Sequence, residues 1–172
     1  SLKIFSKKKN LRVLSLKKYL SPEFSIKTIG GGSLGQERDG SKLLEKHLVV
    51  PTKKRLTPNQ LSTGLFAWKV VKHTKSNAIV VAKNNKIISI SGGQTSRVDA
   101  TKIAFEKTEI PRGCVVASDA FFPFKDSIEK MAQYKIAAII QPGGSIRDRE
   151  IVESCNKNKI AMAFTGFRVF KH

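Results

Sequence analysis

Acidic residues are scarce in this sequence: 13 Asp and Glu stand against 32 Lys and Arg in 172 residues, a formal net charge of +19. A surplus of that size suits an anionic partner, either nucleic acid or a small phosphorylated ligand. It divides almost evenly between the first third of the chain and the rest. The only basic runs, Lys7-Lys8-Lys9 and Lys53-Lys54-Arg55, flank apolar segments, as solvated faces do, so nucleic acid is not the expected partner. The two cysteines, Cys114 and Cys155, have no CxxC partners and cannot build a disulfide framework; they read as reduced, partly buried thiols of a cytoplasmic protein. No apolar run approaches the ~20 residues of a membrane span, and the start lacks the apolar core of a signal peptide. The three histidines, His47, His73 and His172, form no cluster with zinc-ligand spacing. The H-x-E…P-C-x-x-C deaminase pattern does not occur.

What is present is enough apolar residue, 40% of the chain, for a core. Leu11–Leu16 alternates apolar and polar residues as a strand does, and Phe24–Ile29 reads as a second strand. Gly30-Gly31-Gly32 is expected to be a flexible linker or a bulge, since no P-loop lysine follows. Residues 37–57 look like a polar connection. From Thr57 the pattern sharpens. Thr57-Pro58 starts a helix with Leu61, Leu65, Trp68 and Val71 on one face. Asn77–Lys83 and Ile87–Ile90 form a hairpin around Asn84-Asn85. Capping boxes at Ser96–Asp99 and Ser145–Asp148 open two further helices, and a third spans about 125–134. Apolar strands fall at 113–117, 136–140 and 160–164. The order α-β-β-α-β-α-β-α-β predicts a three-layer α/β domain with a mixed, mostly parallel sheet.

Chemistry in such sheets sits in the loops beyond the carboxyl ends of the strands. Three loops qualify: Gly92–Arg97, Ser118–Asp126 and Gln141–Ser145. Each runs into a helix start whose free N–H groups favour anions. The second is rich in phenylalanine. Phe121, Phe122 and Phe124 either plug the base of the sheet or wall a pocket for a flat ring, with Asp119 or Asp126 giving polar selection.

Five segments then carry a resemblance: Phe66–Ile79, Gly92–Asp99, Ser118–Asp126, Gln141–Asp148 and Phe164–His172. Together, and in this order, they are similar to the PurH family of bifunctional purine biosynthesis proteins. The resemblance implies the C-terminal part of a formyltransferase domain, with residues 1–56 ending one subdomain and 57–172 forming the second. It implies a cytidine-deaminase-like fold without a zinc site or other metal. The implied reaction moves a formyl group from 10-formyltetrahydrofolate to aminoimidazole carboxamide ribonucleotide (AICAR), at active sites shared across a homodimer. A separate domain of the family protein is an IMP cyclohydrolase.

Residue by residue, the resemblance makes Asn77 and the terminal His172 the catalytic pair. It gives the nucleotide to Arg97 (reaching from the partner subunit), Phe121, Arg168 and Phe170. It gives the folate to Phe122, Pro123, Phe124 and Asp126. An attacking amine that must lose a proton needs both a base and an oxygen-stabilising donor. The family's principal Lys-His pair belongs to the first subdomain; Lys72-His73 occupies only the cognate place in the second. With Ser1 in place of Met, the sequence is therefore expected to be a fragment, inactive alone. Two alternatives stand beside this reading: a catalytically incomplete nucleotide-binding module, and a basic RNA-binding protein.

Overall fold

A computed structural model describes residues 2–16, 24–37, 39–40 and 42–171. The chain divides into two units, Ser1–Lys42 and Leu43–His172. The expected boundary at 56/57 therefore falls inside the second unit.

The first unit holds a short helix, α1 (Leu2–Phe5), and an antiparallel hairpin of β1 (Phe24–Ile29) and β2 (Gly32–Glu37). The triple glycine is the hairpin turn rather than a linker. Gly31 lies at φ +82°, a conformation in which a Cβ would be strained. Leu11–Leu16 forms no strand, although it alternates; among the described residues of this unit no strand pairs with it, and Leu14 and Leu16 are exposed.

The second unit is a five-stranded sheet between helices. Its elements are α2 (Pro58–Lys72), β3 (Ile79–Lys83), β4 (Lys86–Ser91), α3 (Arg97–Glu106), β5 (Val115–Ser118), α4 (Asp126–Gln133), β6 (Ala138–Gln141), α5 (Asp148–Lys157) and β7 (Ala161–Phe164). The spatial order is β4-β3-β5-β6-β7. β3 runs antiparallel to both β4 and β5, whereas β5, β6 and β7 are parallel, each joined to the next through a helix. The sheet is thus mixed, its parallel part confined to the later strands.

Local chemistry explains the elements. The Thr57 hydroxyl accepts the Gln60 N–H at 3.3 Å, and the Gln60 side chain accepts the Thr57 N–H at 3.0 Å, closing a capping box around Pro58. Asn84 and Asn85, at φ 50° and 56°, give the two consecutive left-handed residues that a tight hairpin turn requires. Alternation along the strands sends their side chains to two faces. Ile79, Val81, Val116, Ile139 and Met162 meet Ala104, Phe105, Ile128, Met131 and Ile151 of α3, α4 and α5. Val80, Ala82, Ala117, Ile140 and Ala163 meet Ala67, Trp68 and Val71 of α2. The result is the expected three layers.

Residues 43–56 complete the β7 side. Leu43 is buried, and Glu45–His47 forms one 3-10 turn. Val49 exchanges two backbone hydrogen bonds with Phe164, at 3.0 and 2.7 Å. The buried Thr52 hydroxyl accepts the Met162 N–H at 2.9 Å.

Candidate functional site at the carboxyl ends of the parallel strands

Antiparallel pairing places the start of β3 beside the end of β5, with Ile79 opposite Ser118, and the end of β4 beside the start of β3, with Ser91 opposite Ile79. Asn77, the 92–96 loop, the 119–125 loop, the 142–147 loop and the segment after β7 therefore share one edge of the sheet.

At its centre lies Asp119, fully buried. One carboxylate oxygen accepts the Ala78 N–H at 3.1 Å and forms an ion pair with Arg97. The other accepts the Ser76 hydroxyl at 2.5 Å. Arg97 is itself 6% exposed. Burial pulls its pKa down, and the Asp119 carboxylate opposes that shift. The guanidinium also donates to the Ala78 carbonyl at 3.0 Å and to Asn77 Oδ1 at 2.9 Å. Asn77 Nδ2 in turn donates to the Gln94 carbonyl at 2.9 Å. The amide is thus fixed at both ends, with one N–H and one oxygen lone pair remaining. Arg97, expected to reach a nucleotide across a dimer, is directed inward and holds Asn77.

The segment after β7 folds back onto this network. Val169 N–H donates to the Asp119 carbonyl at 3.1 Å, and Ser76 N–H donates to the Lys171 carbonyl at 2.8 Å. Lys171 N–H donates to the Ser76 hydroxyl at 2.9 Å. Arg168 and Phe170, on either side of the buried Val169, are consequently exposed. The Arg168 guanidinium lies 4.7 Å from the centroid of the Phe121 ring, a cation–π stack. His172 lies outside the described residues.

The phenylalanines divide. Phe122, expected in a folate wall, is fully buried in the α3–α4–α5 core instead, and its N–H donates to the buried Gln141 side chain at 2.8 Å. Phe121 and Phe124 face outward, each under an arginine: Arg168 on the first and Arg147, at 4.7 Å, on the second. Pro123 is half-buried, and Asp126 is exposed in the first turn of α4. Asp119, offered by sequence for polar selection of a ligand, is an internal anchor.

The three helix starts differ from one another, and the first is capped as expected. Ser96 caps α3 through the Asp99 N–H at 3.0 Å. At α5 the Ser145 side chain is not the cap. The Asp148 carboxylate accepts the Gly144 and Ser145 N–H groups at 2.7 and 3.2 Å, filling with the chain's own charge the place an anion would take. α4, like α5, begins at an N-cap residue whose side chain makes no capping hydrogen bond. Among the described residues no group of three His, Cys, Asp or Glu could hold a metal ion, and no helix is long and apolar enough to cross a membrane.

Sequence reasoning missed Ser76 and Arg147. Ser76 stands next to a singled-out asparagine and Arg147 within a singled-out motif, but each takes its place from a partner in another loop.

A family model described as "AICARFT/IMPCHase bienzyme" matches residues 1–107. Three proteins named bifunctional purine biosynthesis protein PurH are similar over nearly the whole sequence. That of Aquifex aeolicus is 49% identical, covering 100% of this chain and 34% of the relative. That of Persephonella marina is 48% identical, covering 96% and 33%. That of Caldicellulosiruptor saccharolyticus is 47% identical, covering 100% and 34%. The chain thus spans about a third of the length of the curated relatives it matches. With more than half of its residues inside the family model, the chain belongs to the AICARFT/IMPCHase bienzyme family.

Proposed function

We propose that this chain carries the second subdomain of the formyltransferase part of a purine-biosynthetic bienzyme, and that the sheet edge described above binds AICAR beside 10-formyltetrahydrofolate. The observation that carries the reading is the exposed Arg168 stacked on Phe121, anchored next to an Asn77 amide with free hydrogen-bonding capacity. A cation beside an aromatic face suits a phosphorylated nucleotide with a flat base. Phe170 completes that side. Pro123, Phe124 and Asp126 suit a pterin ring, with Phe122 supporting the loop from the core.

In the proposed reaction the AICAR amine attacks the formyl carbon. A new C–N bond forms, the bond from that carbon to the folate nitrogen breaks, and the proton leaving the amine ends on that nitrogen. Asn77 stabilises the developing oxyanion with its remaining N–H, and His172 assists the proton transfer. The homodimer with shared active sites, the cytoplasmic setting and the IMP cyclohydrolase activity elsewhere in the protein follow from the same family reading. Lys72-His73 has no catalytic role in it.

Calorimetric titration of the 172-residue chain with AICAR tests the reading. Expected are saturable binding and a loss of tenfold or more on Arg168→Ala, since hydrogen bonds to charged groups contribute about 1.5–3 kcal/mol. Binding that Arg168→Ala leaves unaltered, or tighter and steeply salt-dependent binding of RNA, would overturn it.

A further inference from the structure

The Asp119 network has two arms. One runs through Arg97 to the side-chain amide of Asn77. The other runs through the Ser76 hydroxyl to the backbone of Lys171, beside the direct bond from Val169 N–H to the Asp119 carbonyl. The proton order is determined. The Ser76 hydroxyl has a single hydrogen and gives it to a carboxylate, so its lone pairs face Lys171 N–H. The opposite side of the same carboxylate takes the Arg97 donor, which leaves the other guanidinium nitrogen for Asn77. Asp119 is fully buried, and Ser76 and Arg97 are nearly so. Water therefore has little room to replace any member, and each bond polarises the next.

We propose that Ser76 and Asp119 are positioning residues that hold Asn77 and the Arg168-bearing segment in one register, so that neither shifts without the other. Its importance for ligand binding rests on the proposed function: Asn77 serves the reacting centre and Arg168 the far end of the nucleotide. A shared buried anchor fixes their separation before a ligand arrives, which lowers the ordering cost of binding.

Coupling is tested at a distance. The hydrogen bonds of the Arg97 side chain go to Asp119, Ala78 and Asn77, and none goes to residues 165–171. In the 15N-labelled 172-residue chain, Arg97→Lys should nevertheless speed amide exchange at Val169 and Lys171. The expected factor is about three- to tenfold relative to Ile139 in the sheet, the range that loss of one hydrogen bond gives. An unchanged ratio overturns the proposal. Should Arg97→Lys not fold, Ser76→Ala is read at the Asn77 side-chain amide, on the other arm, with the same two outcomes. A second arm uses AICAR as the probe. Ser76→Ala should weaken its binding about tenfold, while Ser76→Thr, which keeps the hydroxyl, restores it. Undiminished affinity in Ser76→Ala refutes positioning. If the unaltered chain does not bind AICAR, the functional reading fails, and the exchange ratio still decides the coupling.

Discussion

Asp119→Asn removes one charge and almost no volume, which makes it the cleanest probe of the buried pair. The Asp119 side chain is wholly shielded and that of Arg97 is 5% exposed. Losing the negative charge leaves a guanidinium in the interior without compensation, an event that destabilises by about 3–5 kcal/mol. That is a large part of the ~5–15 kcal/mol that a domain typically has in total. With a urea dependence of about 2 kcal/mol per molar, the midpoint should fall by roughly 1.5–2.5 M. Arg97→Met should destabilise for the complementary reason. In Asp119→Asn/Arg97→Met no charge is left to strand, so the double variant should lose at least about 2 kcal/mol less than the two single losses together. Raising the salt concentration should leave this coupling nearly unchanged, as screening reaches buried pairs poorly. Urea unfolding followed by circular dichroism measures all four proteins. A drop under about 1 kcal/mol for Asp119→Asn, or additivity within about 0.5 kcal/mol, would refute the reasoning.

Two further outcomes follow from single sites. Gly143 lies at φ +73° with its open side against the Phe164 ring, where a Cβ would sit 2.8 Å from the nearest ring carbon; Gly143→Ala should lower stability by about 2–4 kcal/mol in thermal unfolding, from overpacking together with left-handed strain, and a neutral effect would contradict the geometry. Burial pushes the Cys155 thiol from 9.0 up to about 12. The native state then keeps a proton that the unfolded chain releases, so this contribution is complete below about pH 9 and is lost as pH rises toward 12. Between pH 8 and pH 10 the unaltered chain should lose about 1.4 kcal/mol more than Cys155→Ala, and parallel stability profiles would exclude the effect.

Much of the second unit is legible in the sequence because its signals are local. Thr57, Pro58 and Gln60 lie within one helical turn, and Asn84-Asn85 carries its own turn geometry. What escapes is what depends on strand order. The Asp119–Arg97 pair joins residues 22 positions apart, and it exists only because β3 lies between β4 and β5. The antiparallel pairing of β3 with β5 is likewise invisible in its composition. The Phe121–Phe124 loop has no period, so nothing along the chain says that Phe122 turns inward while its neighbours turn out. At Ser145–Asp148 the residue types were right for a capping box and the direction was wrong. Asp148 reaches back to the N–H groups of Gly144 and Ser145, because Gly143 and Gly144, both at positive φ, bend the loop toward it. Of the site, Asn77, Phe121 and Arg168 were accessible through the resemblance, whereas Ser76 and Arg147 needed the fold.

The segment of residues 43–56 has a practical side. β7 is the last strand of its sheet, and the Val49 bridge and the Thr52 hydroxyl meet backbone groups that an unguarded margin would offer to any passing extended chain. Dividing the polypeptide at residue 56, where composition changes, would strip that guard and leave Ala161–Phe164 as a template for intermolecular β-pairing. A division ahead of Leu43 keeps the guard with the sheet it protects, and the difference belongs in the planning of any shortened version meant to stay monodisperse.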